Sequence, residues 1–256
     1  MEQKTKVTGR AKFSVIGLVI VALVAIGHQI HIMEFPDDEE MTIATFSLSL
    51  GSLAAAIMSF IISKRYWGSK VFGKAYLSLA ISFCFIIAGD LTYIYYDWYT
   101  EEAPYPSIAD VFFLLFYPFA AYHLVKNINY FKKDLGAAPK IGVIVLTGAL
   151  VASFAFLSID LIEEAPLDFY LGLTFVLASS GILALALLGA IIFRQSVLGA
   201  AWLALAAGIF IYTVSDVWYY YLEMIDSYSG EHLVNTLWVL GLSAVTYGLY
   251  KHKKTI

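Results

Sequence analysis

Eight apolar runs, each of about 20 residues or more, leave this chain few ways to fold. They cover about 13–33, 41–63, 71–97, 107–126, 140–160, 167–193, 197–222 and 230–250. A run of that length crosses the hydrocarbon core of a bilayer as a helix, which satisfies its own backbone where no water can. The expected fold class is therefore an all-α polytopic membrane protein with eight transmembrane helices. Composition agrees: 60% of the 256 residues are apolar and only 14% charged, with mean hydropathy +0.76, far from the soluble norm. The longest internal connection, about 127–139, is too short for a soluble domain. A catalytic head, a nucleotide-binding domain and a DNA-binding module are excluded, and no nucleic acid is expected as a partner. The expected surroundings are a lipid bilayer. The single cysteine, Cys84, lies inside the third run, so no intrachain disulfide can form.

Charge sets the expected topology. All 16 Lys and Arg fall in five groups: Lys4 to Lys12, Lys64 to Lys74, Lys126 to Lys140, Arg194, and Lys251 to Lys254. With eight spans, every group lies on the side of the N-terminus. The positive-inside rule then predicts a multi-pass protein of the cell membrane with both termini cytoplasmic. The opposite loops are acidic, carrying Glu34, Asp37 to Glu40, Glu101, Glu102, Glu163, Glu164, Asp226 and Glu231.

Two carboxylates break the apolar pattern. Asp90 stands in Gly89-Asp90-Leu91-Thr92-Tyr93, and Asp216 in Ser215-Asp216-Val217-Trp218-Tyr219. A carboxylate at the centre of a membrane helix costs roughly 2.5–3.5 kcal/mol on the insertion scale. Asp90 lies about 24 Å beyond Lys74 at about 1.5 Å per helical residue, in the outer third of the bilayer. Tyr93, three residues on, shares its helical stripe. No Lys or Arg occupies the outer half of the membrane to pair with either aspartate.

The two aspartates are 126 residues apart, and so are Gly73 and Gly199, Tyr93 and Tyr219, and Tyr95 and Tyr221. After one residue is deleted from the outer loop, Asp110 meets Asn235, Tyr122 meets Tyr247 and Lys126 meets Lys251. Rare polar residues matched at a constant spacing indicate duplication. The expected organisation is two four-helix repeats, 1–130 and 131–256, within one integral membrane domain. An even number of spans makes the repeats parallel, related by an axis along the membrane normal. Asp90, Tyr93, Asp216, Tyr219, Asp110 and Asn235 then fall at one depth and form the candidate ligand-binding set.

Other polar residues are weighed individually. Ser107-Ile108-Ala109-Asp110 has capping-box spacing, so Asp110 is expected to cap helix 4 first and to serve a site second. Pro118 removes a backbone bond in the same helix and is expected to kink it. Ser47, Gly51, Ala55 and Ser59, four apart, form a close-packing face on helix 2. His28 and His31, three apart near the outer end of helix 1, are weak candidates for a metal or haem; no cofactor is otherwise indicated.

Pro106-Ser107-Ile108-Ala109-Asp110, followed by Leu114, Tyr117 and Pro118, resembles a run in the multi-pass N-terminal membrane regions of bacterial diguanylate cyclase-type signalling proteins. Gly89-Asp90 matches the helix end that precedes that run. The resemblance covers about 73–125 clearly and 199–250 more weakly. It implies a sensory module that binds a small-molecule or lipid ligand. No output domain follows Lys254, so a signalling partner protein or a homo-oligomer is expected to relay the signal. A weaker similarity is to lysoplasmalogenase-type eight-span hydrolases, through Gly89-Asp90 and His123. His123 is expected at the opposite end of the membrane from Asp90, which separates the two halves of such a site. The leading expectation is thus a non-enzymatic sensor or ligand-binding module. A small proton- or cation-coupled transporter or channel is the alternative, and a membrane hydrolase comes third.

Reporter fusions at Ile256 and in the Asp37 to Glu40 loop are expected to fall on opposite faces of the membrane. Finding both on one face would remove the eight-span topology.

Overall fold

The computed structural model describes residues 13–34, 40–100, 106–131 and 135–255. The basic tail, the Asp37 to Glu39 loop and the Glu101-Glu102 turn lie outside the described residues. The rest is helical: α1 (Val15–Ile32), α2 (Glu40–Arg65), α3 (Phe72–Tyr99), α4 (Ile108–Tyr130), α5 (Ala137–Ser158), α6 (Pro166–Phe193), α7 (Gly199–Met224) and α8 (Leu233–Thr255). A short 3-10 turn, Ile159–Leu161, follows α5, and no strand occurs among the described residues. All eight helices are long and apolar enough to cross a membrane. Several run past the apolar stretch at the basic end; α8 carries on through Lys251, Lys253 and Lys254 to Thr255.

Six helices make the centre. α2 packs on α3, α3 on α4, α6 on α7 and α7 on α8, while α2 meets α8 and α4 meets α6 across the bundle. The other two are peripheral and mostly turned outward. α5 lies against α6 and α7, whereas α1 lies chiefly against α8. α1 is tied to α8 at both ends: the Ser14 backbone N–H donates to Tyr247 Oη at 2.8 Å, and Thr236 Oγ1 donates to Gln29 Oε1 at 2.6 Å. The large exposed apolar side chains of α1, such as Val15, Ile16 and Leu23, suit lipid contact, because hydrocarbon solvates them without cost.

Small residues set the closest approaches. In water the hydrophobic effect would hold such helices together; in lipid, packing must do so. On α2, Ala55 and Ser59 are fully buried, and a Cβ at Gly51 would stand 3.2 Å from Leu242 of α8. α7 and α8 touch backbone to backbone. A Cβ at Gly208 would lie 2.6 Å from the Gly241 carbonyl oxygen, and one at Gly248 would lie 2.9 Å from the Ala201 carbonyl oxygen. These glycines carry no signal in sequence beyond their smallness, yet they fix the spacing of the two helices that build half of the cavity described below. α4 passes Pro118 as one helix. Beside the proline, Ser78 Oγ of α3 donates to the Phe119 carbonyl at 2.8 Å.

Gly208→Val is expected to destabilise the fold by about 1–3 kcal/mol or more, because the neighbouring atoms are backbone and cannot yield. Gly142, with open space around its Cβ position, should tolerate alanine. Thermal unfolding in detergent of both variants checks the contrast.

Candidate functional site

The six central helices enclose a cavity of about 560 Å³ near the end of the bundle away from the basic residues. Neither α1 nor α5 contributes to its wall. Six carboxylates line it: Asp90, Asp110, Asp168, Asp216, Glu223 and Asp226. No Lys, Arg or His does. The rest of the wall is mainly aromatic, with Tyr93, Tyr117, Tyr212, Tyr219, Tyr220, Tyr228 and Trp238 most prominent.

Each aspartate is held differently. Asp90 of α3 is 4% exposed, and its Oδ2 accepts from Ser49 Oγ of α2 at 3.0 Å. Asp216 of α7 is equally buried, and its Oδ1 accepts from the Trp238 indole N–H of α8 at 2.9 Å. Its other oxygen, Oδ2, has no protein hydrogen-bond partner. Ser179 lies nearby on α6, but its hydroxyl donates to the Val176 carbonyl at 3.3 Å. Tyr212 feels the field of both aspartates. An acceptor buried without a donor loses roughly 1–3 kcal/mol in desolvation, more when charged. The Asp216 carboxylate therefore has a standing need for a donor or a cation from the cavity.

The tyrosines link into one wall. Tyr219 of α7 lies beside both Tyr93 of α3 and Glu223 of its own helix. Its ring stands 5.0 Å from Trp238 and 4.8 Å edge-to-face from Tyr228. Tyr212 approaches Trp238 at 6.2 Å. Tilted and edge-to-face contacts of this kind suit the ring quadrupoles. Two pairs stack nearly parallel instead: Phe175 with Tyr220 at 5.0 Å and 18°, and Tyr93 with Phe113 at 5.7 Å and 26°.

Asp110 does two jobs. Its Oδ2 accepts from the Ser107 backbone N–H at 2.6 Å, and Ser107 Oγ accepts from the Ala109 N–H at 3.1 Å, completing the expected capping box. It also faces the cavity. Asn235, matched to it in sequence, is absent from the wall. It is fully buried one step behind, where its Oδ1 accepts from Tyr228 Oη at 2.6 Å and its Nδ2 donates to the Ser229 and Gly230 carbonyls. Asn235 thus positions Tyr228 and folds the α7–α8 turn rather than meeting a ligand. Asp226 opens that turn in the left-handed region (φ 49°), the one such non-glycine among the described residues. There it closes α7, with the Ser227 N–H reaching the Leu222 carbonyl at 3.0 Å.

The histidines lie elsewhere. His28 Nδ1 pairs with Thr236 Oγ1 at 2.8 Å, and His31 is exposed. Among the described residues no three His, Cys, Asp or Glu side chains are grouped to hold a metal ion. His123 is fully buried toward the basic end, 4.5 Å from the Tyr76 ring and stacked on Trp202 at 6.2 Å. His123 is not in the cavity wall with the aspartates. Between it and the cavity lies a void of only about 40 Å³ with an almost wholly apolar lining, including Leu79, Phe83, Ile182 and Leu205.

Sequence reasoning located Asp90, Tyr93, Asp110, Asp216 and Tyr219 in this wall. It missed Tyr212, Tyr228 and Trp238. Trp238 falls 125 residues after Phe113, another wall residue, so the repeat spacing contained a usable signal. Tyr212 falls 126 residues after Ile86 and was masked because an apolar partner raises no flag. Compared with known proteins, the chain matches no protein-family model, no curated protein and no solved structure.

Asp110→Asn is expected to keep a hydrogen-bond acceptor at the cap and cost at most about 0.5–2 kcal/mol. Asp110→Ala should cost more than Asp110→Asn, and Ser107→Ala should match it. Thermal melts of the three variants test whether the cap governs this residue.

Proposed function

We propose that this protein is a membrane-embedded, non-enzymatic ligand-binding module of the sensory type. Its pocket opens to the outer face of the cell membrane, with both termini in the cytoplasm. The observation that carries the reading is the cavity's shape and chemistry together. About 560 Å³ sits well inside the usual range of about 300–1,000 Å³ for small-molecule sites. The buried carboxylates Asp90, Asp110 and Asp216 converge on it from three helices, and the small void beneath, toward the basic end, is almost wholly apolar. A polar chamber above an apolar neck favours binding over the passage of ions.

Orientation rests on charge. All ten Lys and Arg among the described residues stand at or near the end opposite the cavity mouth, where Asp168, Asp226 and Glu231 gather. The positive-inside rule assigns that basic end to the cytoplasm. A conformational signal would pass from the cavity wall along α7 and α8, whose backbones are in contact, to the cytoplasmic ends of those helices. A partner protein or a second copy of the chain would receive it there.

The duplication belongs to the same proposal. Wall residues pair at the two repeat spacings: Ile86 with Tyr212, Asp90 with Asp216, Tyr93 with Tyr219, Phe113 with Trp238, and Tyr117 with Leu242. Helix neighbours pair likewise, α2–α3 with α6–α7, α3–α4 with α7–α8, and α2–α8 with α6–α4. These correspondences support a pseudo-two-fold axis through the cavity, with α1 and α5 added differently to each half. They also supply the observation behind the second reading, a cation-coupled transporter whose halves rock about a central site.

Native mass spectrometry of protein released in mild detergent is expected to show a bound small molecule, displaced by filling the cavity with Leu48→Trp. A cysteine at Tyr228, in a Cys84→Ser background, should react with a membrane-impermeant reagent added from outside. A bare chain together with labelling only from the cytoplasmic side would contradict the reading.

A further inference from the structure

We infer that the ligand of this cavity is an organic ammonium ion, seated with its charge at Asp216 and its apolar body against Tyr212, Tyr219 and Trp238. The inference rests on the ligand-binding reading above and narrows it to a chemical class.

Four observations converge. First, the wall holds six carboxylates and no basic side chain, so an anion or a phosphate-bearing group would meet uncompensated repulsion. Second, Asp216 is 4% exposed, lines the cavity and has one oxygen, Oδ2, without a protein donor. Its other oxygen is fixed by Trp238 at 2.9 Å, so the free one is held in place. Third, the carboxylates are spread around the wall. No three of them group closely enough, among the described residues, to hold a metal ion. A bare divalent ion needs about six oxygens at one point; an ammonium ion with an organic body needs one or two acceptors and a shaped apolar surround. Fourth, that surround is present as linked aromatic faces, with Tyr219 and Trp238 rings 5.0 Å apart and Tyr212 and Trp238 rings 6.2 Å apart. Aromatic faces attract cations within about 6 Å, most strongly when water is excluded.

The two halves of the cavity differ in a way that places the charge. At the paired positions, the α3–α4 side offers Ile86 and Phe113 where the α7–α8 side offers Tyr212 and Trp238. Asp90 takes a hydroxyl from Ser49 on one oxygen and Asp216 takes the Trp238 indole N–H on one oxygen, so the carboxylates are matched and the aromatic surround distinguishes the two sides. Glu223 and Asp226 lie on the α7 side as well and extend the negative field to the mouth. A cation entering there is drawn along one wall to Asp216.

The test titrates purified protein with benzyltrimethylammonium and with N,N-dimethylbenzamide, a neutral molecule of similar size, by calorimetry and thermal shift. The cation is expected to bind and raise the melting temperature, and the amide to bind at least about tenfold more weakly, about 1.4 kcal/mol. Asp216→Asn keeps an acceptor for Trp238 and is expected to weaken the cation by a similar factor while hardly changing the amide. Tyr212→Leu, which removes neither partner of that hydrogen bond, should weaken the cation severalfold and serves if Asp216→Asn fails to fold. Equal affinity for both probes, with both lost in Leu48→Trp, would overturn the ammonium assignment and leave the pocket standing as a ligand site. Failure of both probes to bind, together with a bare chain in native mass spectrometry, would take down both. Repeating the titration in phosphatidylglycerol nanodiscs with and without phosphatidylcholine separates the sources: competition assigns the ammonium to a lipid headgroup, and its absence to a free amine.

Discussion

Everything in this structure answers to one constraint: a carboxylate placed in hydrocarbon must find a donor or reach a polar cavity. Asp90 and Asp216 sit well inside their helices, so the bundle around them cannot be a plain packing of apolar rods. Ser49 and Trp238 each bring one donor from a neighbouring helix. The remaining demand is met by opening a space walled with tyrosines, whose hydroxyls and rings tolerate both polar and apolar neighbours. The contact of α7 with α8 at Gly208, Gly241 and Gly248 brings Trp238 within reach of Asp216. Packing in the membrane core and polar chemistry near its edge are thus one problem with one solution.

The cavity is lopsided, and the lopsidedness follows from residue changes at paired positions. If the halves descend from one unit, an ancestral cavity was built from equivalent walls. In this chain one wall is more polar and more aromatic, through Tyr212 and Trp238, while the other has Ile86 and Phe113. Asp110 and Asn235 differ further. One caps α4 and still faces the cavity; the other turned inward to organise the α7–α8 connection and hold Tyr228. The more polar and more aromatic wall lies on the α7–α8 side.

Much of this was legible in the sequence, for reasons that differ by feature. The spans were readable because bilayer thickness dictates length. Asp90 and Asp216 stood out because charge is rare and costly there, and the capping box at Ser107 and Asp110 because its geometry is local. What could not be read depended on which helices meet. Nothing in α1 announces that it docks on α8 rather than within its own half; that depends on Ser14 finding Tyr247 and Gln29 finding Thr236, each across more than 200 residues. Trp238 looks like an ordinary interfacial aromatic until its N–H is placed on Asp216. His28 and His123 carried possible chemistry by residue type alone, and the structure sets them against Thr236 and Tyr76, apart from the aspartates.

The central claim is that the buried aspartates face a water-reachable, tyrosine-lined cavity open at the acidic end. Hydroxyl-radical footprinting of the protein in lipid nanodiscs reads it directly, because oxidation reports water beside each side chain. The account predicts modification of Tyr219, Tyr228, Met224 and Trp238, with Tyr76, Trp202 and Phe154 protected in the packed core. Protection of the cavity tyrosines as complete as that of Tyr76 would contradict it.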